Sequence, residues 1–432
     1  MSYNRLNDLV PQSAIDTDLY KLTMLQFIWN MRLDDINSTF RFIERNRETK
    51  PELEQIAPKT YKLAFDILTD WSVTNRAVYT DNDIEYLRSL QTEESTQLFH
   101  HEFLNYLQKD FKLAKLKFDK ENLILYTDGT WAETTMWEIY VLSTINTLHN
   151  LARDPYAYER RIVDAEGNFK PKVELINNSG LTPKISDFGT RRRYSYDVHK
   201  RILELGKKSG IITSTSNLHL ARELGMKPVG TFAHEIPMGM VGINDFILGN
   251  NEQFVYDYIY KSVFIAWKSL NKKGFNIALT DTYGSQKVFD YDLIDLNWDG
   301  VRHDSGCPYE FTNMVLRWIS DKKKDGQILE APFRIVYSDG LDFHRILDLE
   351  RTFGDTPDID LFYGIGTNLT NDVNLKPTSI VMKLTKIDGA DTVKISDNLA
   401  KAVSYGDNPK QNLEKYKTAF GHIHNNTQIV TV

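Results

Sequence analysis

The sequence predicts an α/β protein: an irregular, TIM-like β/α barrel with a second, sandwich-like α+β domain built from the N- and C-terminal segments. Three observations carry this. The chain has 432 residues, more than one small core organises, so a large barrel plus a second domain is the natural arrangement. In its second half a short apolar run ends in a polar, Gly-rich or acidic turn, an amphipathic helix pattern follows, and the unit recurs. The segments on either side lack that repeat. Alternating strand and helix implies a parallel sheet with right-handed crossovers.

Residues 1–165 read as an N-terminal α+β domain. They mix helices, such as Trp137 to Arg153, with irregular strands, such as Leu123-Ile124-Leu125-Tyr126. Arg153 to Lys172, with Pro155, Gly167 and Pro171, reads as a loop or boundary. Residues 166–375 read as the barrel. The runs end in Asp187-Phe188-Gly189-Thr190-Arg191, Ser214-Thr215-Ser216-Asn217, Gly230-Thr231-Phe232-Ala233-His234 and Thr280-Asp281-Thr282-Tyr283-Gly284. Arg302-His303-Asp304-Ser305-Gly306, Ser338-Asp339-Gly340 and Gly364-Ile365-Gly366-Thr367 follow. Between them Val198, Ile202 and Leu205 keep helical spacing with Gly206 as a stop, and Phe343, Ile346 and Leu347 do so before Gly354. Ile335-Val336-Tyr337 is short and apolar, as a strand buried on both faces should be. An open doubly wound sheet is the rival fold. A dinucleotide fingerprint is missing, because Gly364-Ile365-Gly366 lacks the third glycine. Residues 376–432 carry the β-rich run Ile380-Val381-Met382-Lys383-Leu384 and a polar tail, expected to pack back on the N-terminal part.

Composition narrows the function. Hydrophobic residues at 41% can fill two such cores. A net charge of −7 disfavours nucleic acid as a partner. It leaves a small anionic substrate open, because local arginines set the field inside a cleft. No apolar run reaches the roughly eighteen residues of a membrane span, and Met1-Ser2-Tyr3-Asn4-Arg5 lacks the apolar stretch of a signal peptide. Cys307 is the one cysteine, which excludes an intrachain disulfide and a cysteine-rich zinc site. A cytoplasmic location is expected, with the nucleus also open to a eukaryotic chain.

Barrel enzymes put their chemistry at the C-terminal strand ends, often with a phosphate site after the last two strands. Ser338-Asp339-Gly340 and Gly364-Ile365-Gly366-Thr367 are those turns, and both offer backbone N–H groups to phosphate oxygens. Arg191-Arg192-Arg193 on an exposed helix would be a solvated face, but Arg191 follows Gly189-Thr190 at the barrel mouth. There a planar guanidinium can grip a carboxylate or phosphate. His234 ends a strand, and a neutral imidazole is a competent nucleophile once a neighbour fixes its tautomer. Glu235 points away from it, so Asp281 is the candidate orienting carboxylate. Asp281, Asp304 and Asp339 could each be a turn or cap residue. Converging on one face, they would suit ribose hydroxyls and Mg²⁺. Asp16-Thr17-Asp18 precedes a helix and could serve only as its N-cap. His100-His101 and Lys322-Lys323-Lys324 read as solvated surface.

These residues resemble a known family, the nicotinate phosphoribosyltransferases. Thr17-Asp18-Leu19-Tyr20-Lys21-Leu22-Thr23-Met24 is similar to its N-terminal signature. Ser186 to Arg193, Thr215-Ser216-Asn217 with Leu220-Ala221-Arg222, and the helix from Trp137-Glu138-Ile139 are similar as well. Gly230 to Glu235 resembles the family's phosphohistidine loop; Arg302 to Gly306, Ser338 to Gly340 and Gly364 to Asn368 resemble its sugar-phosphate loops. The likeness covers nearly the whole chain in order. Three departures stand out: Ser214 for a usual glycine, Cys307 for a usual acidic or amide residue, and Ile236-Pro237-Met238 for an aromatic, Gln-containing stretch.

The resemblance implies that nicotinate, phosphoribosyl pyrophosphate and ATP give nicotinate mononucleotide, pyrophosphate, ADP and phosphate. It implies that ATP phosphorylates His234. Asp18, Tyr20, Phe188, Arg191 and Ser216 would meet nicotinate, with Tyr20 stacking on its ring. Arg302, Asp304, Asp339, Gly340, Gly364, Gly366 and Thr367 would hold phosphoribosyl pyrophosphate, and Asp281 and Asp304 would hold Mg²⁺. No tightly bound organic cofactor is implied. In the related nicotinamide enzymes the residues matching Asp18 and Tyr20 arrive from a partner subunit, in keeping with a homodimer. Those enzymes carry an aspartate where this chain has Ser216, so the serine favours the acid over the amide. A non-catalytic sensor would have lost His234, Asp304 or Asp339, and all three are present.

Overall fold

The computed structural model describes residues 9–45, 51–248, 253–270, 273–405 and 408–420; the Met1 to Arg5 start lies outside them. Strands β1 (Asn37–Glu44), β2 (Leu116–Asp119) and β3 (Ile124–Thr130) belong to the N-terminal part. The barrel strands are β4 (Lys184–Asp187), β5 (Ile212–Thr215), β6 (Lys227–Pro228), β7 (Ile277–Leu279), β8 (Gly300–His303), β9 (Phe333–Tyr337) and β10 (Ile359–Ile365). After them come β11 (Ile380–Ile387), β12 (Ala390–Asp391), β13 (Val393–Lys394) and β14 (Val403–Ser404).

The seven barrel strands are parallel and lie in the order β6-β5-β4-β10-β9-β8-β7. The first of them in sequence, β4, pairs with the last, β10, which is the closing pairing of a barrel. It excludes the doubly wound alternative. β6 and β7 share no ladder, so the sheet curls around and stays open at one seam. Beside the residues that follow β6, Phe232 packs on Trp267 of the helix Gln253–Leu270 (4.6 Å), and Trp267 in turn meets Phe27 (5.5 Å). Phe27 lies on the helix Leu19–Asn30, whose Leu19, Leu22, Met24, Leu25, Phe27 and Ile28 are all buried. A helix apolar on every side is a core element.

The second domain is an antiparallel sheet in the order β12-β11-β1-β3-β2. β11, from the C-terminal segment, runs beside β1 from the N-terminal one, from Ser38↔Ile387 to Glu44↔Ile380. Both ends of the chain therefore build one sheet, as the sequence led us to expect.

Two local expectations are corrected. Arg153 to Lys172 is not a loop: the helix Tyr158–Ser179 runs through it with Pro171 inside, and ends at Gly180 with φ +70°. An internal proline costs about 3 kcal/mol in a helix. Ala165, Phe169 and Ile176 bury one face of this one, and Arg161 donates to the carbonyl of Val373 (2.8 Å), so tertiary packing outweighs propensity. The expected boundary at 165/166 thus falls inside a helix. Gly206 does not stop its helix either, because Tyr196–Ser209 continues to Gly210 at φ +78°. A Cβ on Gly206 would come 2.5 Å from Ile212, so this glycine lets the helix lie close on β5.

Candidate active site

The turn after β4 is built from Asp187. Its carboxylate accepts from the Gly189 N–H (2.8 Å) and the Thr215 hydroxyl (2.6 Å), and lies 2.7 Å from His199 Nε2. The chain then makes a short 3₁₀ turn over Thr190–Arg192. Arg193 forks onto buried Asp16 (2.9 and 2.8 Å), and Asn146 donates to the carbonyls of Arg192 and Arg193. Arg193 is thereby structural, and Arg191 is left at the mouth with its Nη1 3.7 Å from Glu138. Burial lowers the pKa of Arg192 to about 10, with repulsion from Arg191 and Arg45 adding to the effect, and its buried Nε has no hydrogen-bond partner.

Asp18 enters the same mouth from the start of the N-terminal helix, where its side chain makes no capping bond. Ser216 donates its hydroxyl to Asp18 Oδ1 (2.7 Å), and the Leu19 N–H donates to the Ser216 carbonyl (2.7 Å). The Ser216 proton is thus given to Asp18. Burial raises the Asp18 pKa, against the hydrogen bonds from Thr190 and Ser216. Tyr20 brings a buried hydroxyl with no partner. Asp18 and Tyr20 lie within reach of Ser216 and Arg191 of the same chain. Phe188 follows Asp187, its N–H donating to the Ile365 carbonyl (2.8 Å), and explains one glycine. Gly364 lies inside β10, and a Cβ there would meet the Phe188 ring at 2.3 Å. Gly364 makes room for that ring.

His234, Asp281 and Asp304 form the second cluster; one ligand atom from each lies within 4.8 Å of the others. His234 Nδ1 is 3.0 Å from the Thr282 hydroxyl, and Nε2 is 3.0 Å from Asp304 and 2.9 Å from Lys394 Nζ. Asp281 is 3.8 Å from that nitrogen, so the orienting carboxylate is Asp304 and not Asp281. Asp281 is itself held by Ser305 (2.6 Å), Ser396 (3.3 Å) and Lys394 (3.4 Å). Burial, with Lys394 next, lowers the His234 pKa to about 4, so the imidazole is neutral at pH 7. Asp304 sits well below the usual carboxylate range despite its burial, held by Arg302 and His234, and it accepts from Ser338 (2.8 Å). Arg302 also donates to Thr231 (2.6 Å). His303, from the same turn, is buried against Phe311 (5.2 Å). It is a core residue.

The phosphate turns complete the mouth. Gly340 adopts φ +60°, which favours glycine. Asp339 pairs with Lys401 (2.7 Å). Gly366 and Thr367 open the short helix Thr367–Thr370, whose first N–H groups have no partner within the helix. Sequence reasoning missed Lys383, Lys394, Lys401, Thr282, Ser305 and Glu138. Lys383 had a signal, a cation with apolar neighbours on both sides in its strand. It is 3.9 Å from Glu138, and burial pushes its pKa down to about 8 against the attraction of Glu138, with Arg191 and Lys394 reinforcing the fall. Five cations from both domains thus face one mouth: Arg191, Arg192, Arg302, Lys383 and Lys394.

Comparison with known proteins agrees with this geometry. Residues 183–422 match the model of the nicotinate phosphoribosyltransferase (NAPRTase) family, and residues 15–146 that of its N-terminal domain. A nicotinate phosphoribosyltransferase of Neisseria meningitidis serogroup B is 31% identical over 406 residues, 91% of this chain and 93% of its own. One from Acinetobacter baumannii is 30% identical over 413 residues, 91% and 94% of the two chains. The crystal structure of nicotinate phosphoribosyltransferase from Vibrio cholerae matches with a TM-score of 0.79 at 26% identity, over 95% of this chain and 94% of that one. A putative nicotinate phosphoribosyltransferase from Saccharomyces cerevisiae matches at 0.75 and 26%, over 96% and 99%. With both halves of the chain matched and the strand-end clusters in place, the chain belongs to the nicotinate phosphoribosyltransferase family.

Proposed function

We propose that this enzyme transfers the phosphoribosyl group of phosphoribosyl pyrophosphate to nicotinate, driven by ATP through a phosphate on His234. One arrangement supports the reading: a neutral, buried His234 between Thr282 and Asp304, at the same barrel mouth as Arg191, Asp18 and Ser216. The pyridine nitrogen of nicotinate attacks the anomeric carbon as its bond to pyrophosphate breaks. Positive charge grows on the ribose and is countered by Asp304, while positioning supplies much of the rest. Arg302, Lys383 and Lys394 face the anionic leaving group. Arg191 pairs with the nicotinate carboxylate, and Tyr20 and Phe188 flank its ring.

In the ATP step an imidazole electron pair attacks the γ-phosphorus, the bond to the departing ADP oxygen breaks, and water later releases phosphate from the histidine. Thr282 stands at Nδ1, and Asp304 and Lys394 at Nε2, so the neutral ring is held in place with one nitrogen unprotonated as the nucleophile. Magnesium belongs to the same reading. Asp281 Oδ1 is buried without a hydrogen-bond partner, and with Asp304 it offers the hard oxygens this ion prefers. Bound there, Mg²⁺ would neutralise phosphate charge.

Incubating the protein with nicotinate or nicotinamide, phosphoribosyl pyrophosphate, ATP and Mg²⁺, and identifying the nucleotide formed, tests the reading; equal use of both bases would overturn it. Two variants probe the cations. Arg191→Lys should raise the nicotinate KM about tenfold, because a point charge cannot reproduce the guanidinium fork. Wild-type kinetics would return Arg191 to the solvated surface. Lys383 should give a pH signature. Its charge is present below about 8 and lost above, so the KM for phosphoribosyl pyrophosphate should rise as pH climbs from 7 to 9. Lys383→Arg should flatten that rise, and an unchanged slope would clear Lys383 of contact with the anion.

A further inference from the structure

A buried charge network lies behind the two clusters. Lys21, on the N-terminal helix, is fully buried. Its Nζ donates to Glu235 (2.7 Å) and weakly to Thr135 (3.4 Å), and pairs with Glu138 at 2.7 Å. Each carboxylate has a second attachment. Glu235 Oε1 accepts from Trp131 Nε1 (2.8 Å), and the Trp131 ring lies where a Cβ on Gly239 would fall, 2.4 Å away, against the helix Glu235–Leu248. Glu138 Oε1 faces Arg191 (3.7 Å) and Lys383 (3.9 Å). Lys21 holds Glu138 in its charged form against the cost of burial. The chain positions matter. Glu235 directly follows His234, and Lys21 directly follows Tyr20.

We infer that Lys21 is a positioning residue that ties the nicotinate subsite to His234, so that the state of one is felt at the other. The inference rests on the function proposed above. Its physical basis is the cost of breaking the network piecemeal. Separating one partner leaves a charge buried and unpaired, so the Tyr20 segment, the Glu138–Arg191 pair and the first turn after His234 keep one register or shift together. Two further contacts join the same segments: the Ala233 N–H donates to Met24 Sδ (3.2 Å), and Thr23 donates to the Thr231 carbonyl (3.4 Å). A phosphate on His234 adds nearly two negative charges at the end of this chain of contacts. A coupling between two sites is reciprocal in binding free energy.

The test measures binding of radiolabelled nicotinate to the full-length protein before and after incubation with ATP and Mg²⁺, alongside phosphate on His234. In the wild type the two states should bind nicotinate with affinities at least fivefold apart. Lys21→Met combined with Glu235→Gln keeps the net charge of the trio and removes the link. Phosphate on His234 should persist, while the two affinities converge to within twofold. Glu235→Gln alone, which leaves Lys21 paired with Glu138, should move the ratio the same way and serves if the double variant fails to fold. A variant that retains the wild-type ratio overturns the inference, as does a wild type that carries the phosphate but binds nicotinate equally in both states. A wild type that takes no phosphate on His234 overturns the proposed function itself, and the coupling with it. The patterns are distinct.

Discussion

His234→Ala should abolish the acid-labile, base-stable phosphate that ATP and Mg²⁺ leave on the wild-type protein, together with all ATP-dependent stimulation of nucleotide synthesis. Phosphoramidates have that lability and phosphoserine does not, so the assay identifies the residue class. The loss should be complete, because among the described residues no other imidazole stands at the mouth: His303 is packed against Phe311, and His199 is buried beside Asp187. Some synthesis from phosphoribosyl pyrophosphate should survive, since the nicotinate and sugar subsites do not use the imidazole. His234→Asn can still bond to Thr282 and Asp304, so it separates lost chemistry from a collapsed loop. Stimulation by ATP in that variant would refute the assignment. The pH dependence follows from the lowered pKa. A group held at about 4 stays unprotonated and nucleophilic through the neutral range, so labelling should be level from pH 8 to 5.5 and fall as pH approaches 4. A fall centred near the ordinary value of about 6.5 would place the histidine in water instead.

Ser216→Asp should weaken nicotinate binding by about 1–3 kcal/mol while sparing nicotinamide, which narrows the preference for the acid. The new carboxylate would stand where the Ser216 hydroxyl now gives its proton to Asp18, 2.7 Å away. Burial already raises the Asp18 pKa, and two carboxylates at that distance resist ionising together. The penalty should therefore shrink as pH falls and one of them takes a proton. Comparing KM for both bases between pH 5.5 and 8 checks this, and an unchanged nicotinate KM would remove residue 216 from the choice of base.

The barrel was legible because its strands are buried on both faces and end abruptly in polar turns. Asp187, Thr215, Thr231, Thr280, Asp304, Ser338 and Gly366 all lie at or just beyond the strand ends the sequence marked. Turn chemistry alone could not say which carboxylate meets His234. Asp281 and Asp304 carry the same signal, and their distances to Nε2 differ by less than an ångström. The need for glycine at 364 was hidden too, because nothing in its own stretch shows the Phe188 ring against it. Lys21, Glu138 and Glu235 were invisible as a set, for they come from three helices and meet only after folding. The helix through Pro171 was hidden because a local breaker was outweighed by distant packing.

The pairing of β1 with β11 has a consequence for how the protein is made. The barrel strands up to β10 precede Ile380, while Lys383 follows it on β11, which pairs with β1, and Lys394 on β13, which pairs with β14. During synthesis β1 leaves the ribosome early and waits for its neighbour until almost the whole chain has emerged. Such a long-range pairing is slow to form, and an unpaired strand edge invites aggregation meanwhile. A chain cut short before β11 would still encode the barrel and His234, but would lack two of the mouth's cations. Newborn protein should therefore pass through a catalytically silent stage, and gain activity only when its last strands close against its first.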